Sequence, residues 1–179
     1  MNNKIKRIVI ISIFTALQCI ISPISIYVGP VPFSLSLFII LVNSSLFNKF
    51  VGFFITLLYI LLGIFGLPIF AGGMGGIGVI TGPTGGFIIG YLVCSLVISL
   101  LTNLNNKSNI LMLFSYILGI LLCYTFGLVH YMNEMNVELI DAIIVCVYPF
   151  IVFDSIKIII SFIIVVILKN KLKSLIVKQ

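Results

Sequence analysis

The sequence predicts an all-α integral membrane protein, a single bundle of six transmembrane helices. Of its 179 residues, 61% are hydrophobic and only 8% are charged, and the mean hydropathy is +1.36. A soluble domain is about half apolar and about a quarter charged, so this composition excludes a soluble globular enzyme as well as a disordered chain. Six spans of about 20 residues use about 120 residues. The remainder suffices for loops, so we expect one transmembrane domain over residues 1–179.

Six apolar runs supply the predicted spans. The first follows a basic segment, as in a signal peptide, but no A-x-A cleavage site follows it and more apolar runs do. The predicted spans cover residues 8–26, 33–47, 50–65, 84–101, 110–128 and 150–168. The apolar stretch 137–148 holds Glu138 and Asp141, and we interpret it as a short interfacial or re-entrant helix that stops at Pro149. The shorter spans require tilt or local bilayer thinning.

Charged residues predict the orientation of these spans. The net charge is +6, and basic residues cluster at both chain ends and at Lys49 and Lys107. With six spans and a cytoplasmic N-terminus, all of these face the cytoplasm, as the positive-inside rule requires, and both termini are cytoplasmic. The acidic residues Glu134, Glu138 and Asp141 then face outside. Basic residues that flank apolar runs indicate a cell membrane, not nucleic acid, as the partner. The basic residues of the two ends are Lys4, Lys6, Arg7, Lys169, Lys171, Lys173 and Lys178.

The predicted outer side of the bundle is irregular. All six prolines fall in or next to predicted outer connections, and ten of the 15 glycines lie between Gly66 and Gly90. Irregular backbone at membrane depth must be shielded by protein or line a cavity, because lipid cannot satisfy its polar groups. We therefore expect a solute pocket that opens outward, with the glycine-rich loop 66–83 as its cover.

The glycine-rich loop is the first candidate for ligand binding. It contains a formal G-x-G-x-x-G, but a membrane span precedes it and no acidic residue follows, so it is not a dinucleotide site. The sequence also has no P-loop. Glycines allow close approach of a ligand to backbone N–H donors; a flexible connector is the alternative. The predicted ligand contacts here are Gly73, Gly75, Gly76 and Thr84.

Asp154 and Lys157 are the second candidate. Their spacing of three residues puts them on one helix face, within the last predicted span. Ionisable residues inside a membrane are costly and are functional by default; a mutually neutralising pair that only fixes packing is the alternative. Asp154 would accept N–H donors from a ligand, and Lys157 would donate to a carbonyl or carboxylate. Tyr91 and Tyr148 lie near the expected pocket, as contacts or as packing residues.

Other chemistry finds no support in the sequence. The four cysteines lie far apart in apolar runs without a CxxC motif, so no metal site is predicted. No catalytic triad or carboxylate pair is present, so we predict neither an enzyme nor a cofactor. His130 is interpreted as an interfacial residue. Ser12 and Ala16 form a small-x-x-x-small pair, which allows close helix approach, either within the chain or against another membrane protein.

Four stretches of the chain resemble signature blocks of the BioY family, the biotin-specific substrate-binding subunits of energy-coupling-factor (ECF) transporters. The resemblance implies six helices, an outward-facing biotin pocket and no catalysis. It implies that Asp154 and Lys157 contact the biotin head group. Ser36 stands where we expect a glutamine in this family, and it joins the predicted contacts. The four stretches are residues 31–34, 66–73, 82–90 and 149–157.

The same resemblance implies partner proteins. Members of the family work with a transmembrane coupling subunit and two cytoplasmic ATPases, and the small-residue motif in their first helix touches the coupling subunit. Ser12 and Ala16 match that motif loosely. Three alternatives remain open at this point: transport of a different vitamin, a small integral-membrane enzyme, or a membrane adaptor without a ligand.

Overall fold

The structure, a computed structural model, describes residues 3–27, 31–47, 50–104 and 108–171. These ranges are mostly helical and contain eight α-helices, one short 3₁₀ helix at Ala71–Gly73 and a two-stranded sheet. The helices are α1 Asn3–Ile21, α2 Ser36–Leu46, α3 Val51–Ile64, α4 Ile77–Thr81, α5 Gly85–Leu104, α6 Asn109–Met135, α7 Leu139–Cys146 and α8 Tyr148–Lys171.

A β-hairpin replaces parts of the first two predicted spans. Strands β1 (Ser25–Tyr27) and β2 (Pro32–Ser34) pair antiparallel, so helix is wrong for residues 22–26 and 33–35. Pro23 follows the end of α1 because proline is poorly compatible with a continuing helix. The ring of Phe33 in β2 stacks on Phe150 of α8, with centroids 4.1 Å apart and planes at 20°. This stacking holds the hairpin against the bundle.

The other helices follow the predicted spans closely, with one exception. The bounds of α3, α5 and α8 lie within three residues of the prediction, and α7 lies within the stretch predicted as a short helix. However, α6 continues to Met135, well beyond the predicted end at residue 128, and carries His130 and Tyr131 in its last turns. The predicted loop 66–83 is partly helical, since it contains the 3₁₀ helix and α4.

Three of the described helices, α5, α6 and α8, are long and apolar enough to cross a membrane. Helices α2 and α3 are also apolar, but their 11 and 14 residues span only about 17 and 21 Å, against a hydrocarbon core of about 30 Å. The count of six spans and the cytoplasmic termini therefore remain predictions. Lys49, Lys107, Lys173 and Lys178 lie outside the described residues.

The helices alternate in direction, so that one end of the bundle carries the irregular elements. Here α1 ends, and the Ser36 hydroxyl at the start of α2 donates to Ser22 O at 3.3 Å. The Gly76 N–H, just before α4, donates to Gly63 O in the last turn of α3 at 2.7 Å. We call this end, with the hairpin, the 3₁₀ helix and α4, the site end. The first residues of α1 and the last residues of α8 lie at the opposite end.

Helix α1 is attached to the bundle through polar side chains as well as apolar ones, such as Phe14, whose ring packs against Phe47. Its buried residues are Thr15 and Gln18, and the Asn43 amide of α2 donates to Gln18 Oε1 at 3.1 Å. Side-chain hydrogen bonds of this kind hold helices together in apolar surroundings, where the hydrophobic effect does not. Ser12 and Ala16 are exposed, so the interpretation that they pack within this chain is wrong.

Candidate functional site

A cavity of about 650 Å³, including its open mouth, lies at the site end. The hairpin, α2, α3, the 3₁₀ helix and α4, α5, α6 and α8 all contribute to its wall. Most of that wall is apolar, which suits a ligand with a large apolar portion. Its apolar side chains include Val31, Leu37, Phe70, Phe87, Ile88 and Phe150.

The cavity wall carries an acidic and a basic side chain, Asp154 and Lys157, and Asp154 is only 3% exposed. Lys157 Nζ donates to Asp154 Oδ1 at 2.8 Å, and Tyr124 Oη donates to Asp154 Oδ2 at 2.5 Å. All three residues line the cavity. Because each carboxylate oxygen can accept more than one hydrogen bond, the pair can still accept N–H groups of a ligand. The lysine balances the charge of the carboxylate and leaves a donor for a ligand carbonyl.

Tyr124 is the site residue that the sequence analysis missed. Tyrosines in the middle of apolar runs are commonly packing residues, so the sequence does not mark Tyr124 as a ligand contact. It lies in α6, 30 residues before Asp154, so no local spacing connects the two. Only the packing of α6 beside the start of α8 brings the hydroxyl to the carboxylate.

Three other predicted contacts, Ser36, Thr84 and Tyr91, line the same cavity. They come from the start of α2, the turn before α5 and the second turn of α5. Ser36 is buried, with 1% exposure, and its hydroxyl proton is directed to Ser22 O. The Ser36 oxygen can therefore act towards a ligand as an acceptor, while the shorter side chain leaves space that a glutamine would fill.

The predicted backbone contacts in the glycine-rich loop are not brought to the cavity. Gly73, Gly75 and Gly76 do not line it, whereas their neighbour Met74 does. The Gly73 N–H donates to Phe70 O at 3.0 Å, and the Gly76 N–H is used by α3, as described above. Both N–H groups are therefore already paired with backbone carbonyls, one in the loop and one in α3. The positive φ of Gly76, 93°, lets the backbone turn just before α4, and the residue does not offer a donor to the cavity.

Tyr148 also lies away from the cavity. It is the first residue of α8 and is 75% exposed. Two residues along an α-helix correspond to a rotation of about 200°, so Tyr148 projects from the side opposite to Phe150, which lines the cavity. The choice of Tyr148 as a contact followed from closeness in sequence and is corrected by the helix geometry.

The loop after α3 forms one wall of the cavity and is tied to its neighbours. Phe70 is 2% exposed and packs edge-on against Tyr59, with ring centroids 5.6 Å apart. The Gly72 N–H donates to Pro23 O at 3.1 Å, and the Tyr27 hydroxyl donates to Ala71 O at 3.4 Å. The loop 66–83, which was predicted to cover the pocket, thus forms part of its wall and connects α3 to the hairpin.

This combination of an apolar cavity and a buried acid–base pair agrees with comparisons with known proteins. The family profile described as "BioY family" matches residues 1–174. The chain belongs to the BioY family. A relative from Thermotoga maritima, named "Biotin transporter BioY", is 36% identical over 165 residues, which are 92% of this chain and 96% of the relative. A "Probable biotin transporter BioY" from Pyrococcus horikoshii is 33% identical over 154 residues, 86% of this chain and 90% of that protein.

A solved structure is similar to this BioY-family chain over almost its whole length. It is described as a crystal structure of the S-component for biotin from an ECF-type ABC transporter. The two align with a TM-score of 0.86 and 27% sequence identity, over 95% of each chain. The resemblance to the BioY family in the sequence analysis is therefore confirmed, and it extends to the fold.

Proposed function

We propose that this chain is the biotin-binding subunit of an ECF-type ABC transporter, which captures extracellular biotin for uptake powered by partner ATPases. The observation that carries the proposal is the buried Asp154–Lys157 pair in the wall of an apolar cavity, in a chain of the BioY family. The chain binds its ligand without chemical change, so it is a transport protein and not an enzyme. Biotin is its cargo, and no resident cofactor is required.

The chemistry of the cavity complements that of biotin. The ureido ring has two N–H donors and one carbonyl acceptor, which match the Asp154 carboxylate and the Lys157 ammonium. The fused sulfur ring and the aliphatic chain match the apolar wall. Ser36, Thr84 and Tyr91 are the remaining proposed polar contacts. We do not include Gly73, Gly75, Gly76 and Tyr148, because they do not line the cavity.

A titration of the purified protein in detergent tests this proposal. We expect biotin to bind with one site per chain and to raise the thermal midpoint, because a ligand that binds only the folded state stabilises it. Thiamine serves as the comparison, since it is a vitamin without a ureido group. Binding of another vitamin in place of biotin would show that the chain is a substrate-binding subunit for that vitamin. The absence of any thermal shift would favour an adaptor without a ligand.

Tyr124→Phe tests the residue that the structure adds to the site. The change removes the hydroxyl that donates to Asp154 Oδ2 and keeps the ring, so the carboxylate becomes free to turn away from the ligand. A lost hydrogen bond of this kind costs about 0.5–1.5 kcal/mol, and we expect biotin to bind about threefold to tenfold more weakly in calorimetry. Tyr148→Phe is the matched control, because Tyr148 is exposed, and its affinity should equal wild type. Equal affinities in both variants would contradict a role for Tyr124.

The distribution of charge supports the proposed orientation in the cell membrane. We propose six spans formed by α1, α2, α3, α5, α6 and α8, with α2 and α3 as short spans in a locally thinned bilayer. Lys4 and Lys6 lie at the start of α1, and Lys169 and Lys171 at the end of α8, both opposite the site end. The positive-inside rule then puts both termini in the cytoplasm and the cavity mouth outside.

The exposed face of α1 suits the proposed partners. Ser12 and Ala16 are exposed and are surrounded by exposed apolar residues, among them Ile5, Ile8 and Ile20. Small residues on an apolar face let another membrane helix approach closely. We therefore propose that this face docks onto a transmembrane coupling subunit, which connects the chain to two cytoplasmic ATPases. The chain has no P-loop of its own, so concentrative uptake requires such partners.

Ser12→Phe tests the docking face. The large ring prevents close helix approach, so we expect co-purification with the coupling subunit and the ATPases to fall at least about tenfold, while biotin affinity stays unchanged. Ser155→Phe is the matched control. Ser155 is also exposed, and its hydroxyl bonds to Ile151 O at 2.7 Å, as that of Ser12 bonds to Ile8 O at 3.0 Å. Equal losses in the two variants would contradict a specific interface on α1.

A further inference from the structure

His130 connects α6 to the turn that precedes α5. Its Nε2 lies 3.0 Å from Gly82 O, and since a carbonyl can only accept, the ring must carry its proton on Nε2. The same carbonyl accepts the Gly85 N–H at 2.9 Å. Both lone pairs of Gly82 O are thus engaged, one within the turn and one from the neighbouring helix. The His130 side chain is half-buried, which partly protects this bond from water.

Close packing of α5 and α6 brings the His130 side chain within hydrogen-bond distance of Gly82 O. A Cβ on Gly86 would overlap the His130 Cβ and would lie only 2.5 Å from Phe126 O. Glycine at this position therefore lets the first turn of α5 lie directly against the α6 backbone. With a larger residue there, the helices would separate, and the imidazole would be drawn away from Gly82.

The turn held in this way carries part of the cavity wall. Thr84 lies within it and lines the cavity, as do Phe87 and Ile88 in the first turn of α5. Thr84 O accepts the Phe87 N–H at 3.1 Å, so a movement of the turn is passed directly to the start of the helix. The position of Gly82 thus controls where these three wall residues stand.

The segment before the turn is held partly by packing, since the half-buried Val79 and Ile80 of α4 contact the cluster that contains Tyr59 and Ile88. Helix α4 contains no buried residue. The Thr81 hydroxyl bonds to Ile77 O and Gly78 O, both at 3.4 Å and both within α4. In the described part of the chain, the side-chain hydrogen bond that ties residues 77–85 to another helix is that of His130. This contact therefore adds a direct hydrogen bond from α6 to a turn that is otherwise held by packing.

We propose that His130 is a positioning residue for the ligand site. Its Nε2–H holds Gly82 O, and through it the turn of residues 82–85, so that Thr84 and Phe87 stand in their places before the ligand arrives. A ligand that binds a preformed wall does not have to order it, which lowers the cost of binding. The identity of the ligand in this inference rests on the proposed function. The positioning of the turn by His130 rests on the observed contacts.

Three substitutions distinguish the donated hydrogen bond from mere packing. Glutamine carries an amide nitrogen at about the reach of Nε2, asparagine is too short, and phenylalanine keeps the ring shape without a donor. Two measurements are made on each variant: hydrogen exchange of the peptide covering residues 77–88 in the ligand-free protein, and the dissociation rate of biotin. Thr81→Val is the matched control, because it removes a hydrogen bond from the same segment without touching α6.

We expect His130→Phe and His130→Asn to exchange faster in this peptide and to release biotin about threefold to tenfold faster, on the scale of one lost hydrogen bond. His130→Gln should stay within about twofold of wild type in both measurements, as should the release rate of Thr81→Val. Wild-type behaviour of both the phenylalanine and the asparagine variants would overturn the inference, and so would a glutamine variant as impaired as they are. If the wild type does not bind biotin, the proposed function fails, while the exchange data alone still decide the role of His130.

Discussion

Asp154→Asn is expected to weaken biotin binding by at least about tenfold, which corresponds to about 1.4 kcal/mol. The asparagine keeps the size of the side chain but removes the charge and turns one oxygen into a donor. The NH2 of the asparagine then faces either the Lys157 ammonium or the Tyr124 hydroxyl, and both of these groups are donors in the native site. The ligand loses its acceptor, and the lysine loses the carboxylate that balances its charge.

Calorimetric titration of the purified protein measures this effect. Asp141→Asn is the matched control, because it makes the same chemical change at an exposed position of α7, and its affinity should equal wild type. Breaking a buried ion pair also destabilises a fold, so circular dichroism and the thermal midpoint of the ligand-free variant are recorded in parallel. A folded Asp154→Asn protein with unchanged affinity would remove Asp154 from the site.

The double variant Asp154→Asn/Lys157→Met gives an independent check. If the two side chains act on the ligand as a pair, the loss in the double variant should be clearly smaller than the sum of the two single losses, because each single change already disables the pair. Strictly additive losses would mean that aspartate and lysine contact the ligand separately. That result would contradict the arrangement proposed here, in which one buried pair recognises one head group.

Gly86→Ala is expected to have the largest effect on stability. The added methyl group would overlap His130 Cβ and approach Phe126 O to 2.5 Å, and the backbone oxygen of a helix cannot move aside. Overpacking of this kind costs about 1–3 kcal/mol, and in a chain of this length we expect the thermal midpoint to fall by about 2–12 °C. Biotin affinity should fall as well, because Thr84 and Phe87 move with the start of α5.

Gly78→Ala is the matched control for this prediction. No atom lies within 4 Å of a Cβ added at Gly78, which belongs to α4, so alanine should leave the thermal midpoint unchanged or raise it slightly, given its higher helix propensity. Thermal unfolding of both variants can be followed by circular dichroism or by tyrosine fluorescence, because the chain contains no tryptophan. An equally stable Gly86→Ala protein would contradict the close contact of α5 with α6.

Sequence reasoning succeeded for features that local chemistry determines. The strong apolar runs predicted α3, α5 and α8 to within three residues, because long apolar segments in this composition have little choice but to form helices. Asp154 and Lys157 were found because two charges inside an apolar run stand out and because their spacing is helical. Family blocks in the sequence added Ser36 to the expected contacts, and the structure brings it to the same cavity.

It failed where the deciding contact joins distant parts of the chain. The hairpin strands are three residues long and lie beside the prolines of the first outer connection, but nothing local indicated that they pair with each other. Their pairing depends on Phe33 meeting Phe150, which is more than one hundred residues away. The N–H groups expected as donors at Gly73 and Gly76 instead donate to Phe70 O and Gly63 O. The sequence does not reveal such backbone hydrogen bonds.

The sequence by itself determined that this protein is a helical membrane bundle of the BioY family with an acid–base pair inside its last helix. Composition and periodicity suffice for that, since burial in lipid and helix formation act on each segment separately. Only the tertiary structure decided that Tyr124 completes the pair, that Tyr148 stands outside, and that His130 reaches Gly82. These outcomes depend on how closely and at what rotation whole helices pack, and the glycines of α5 set that distance.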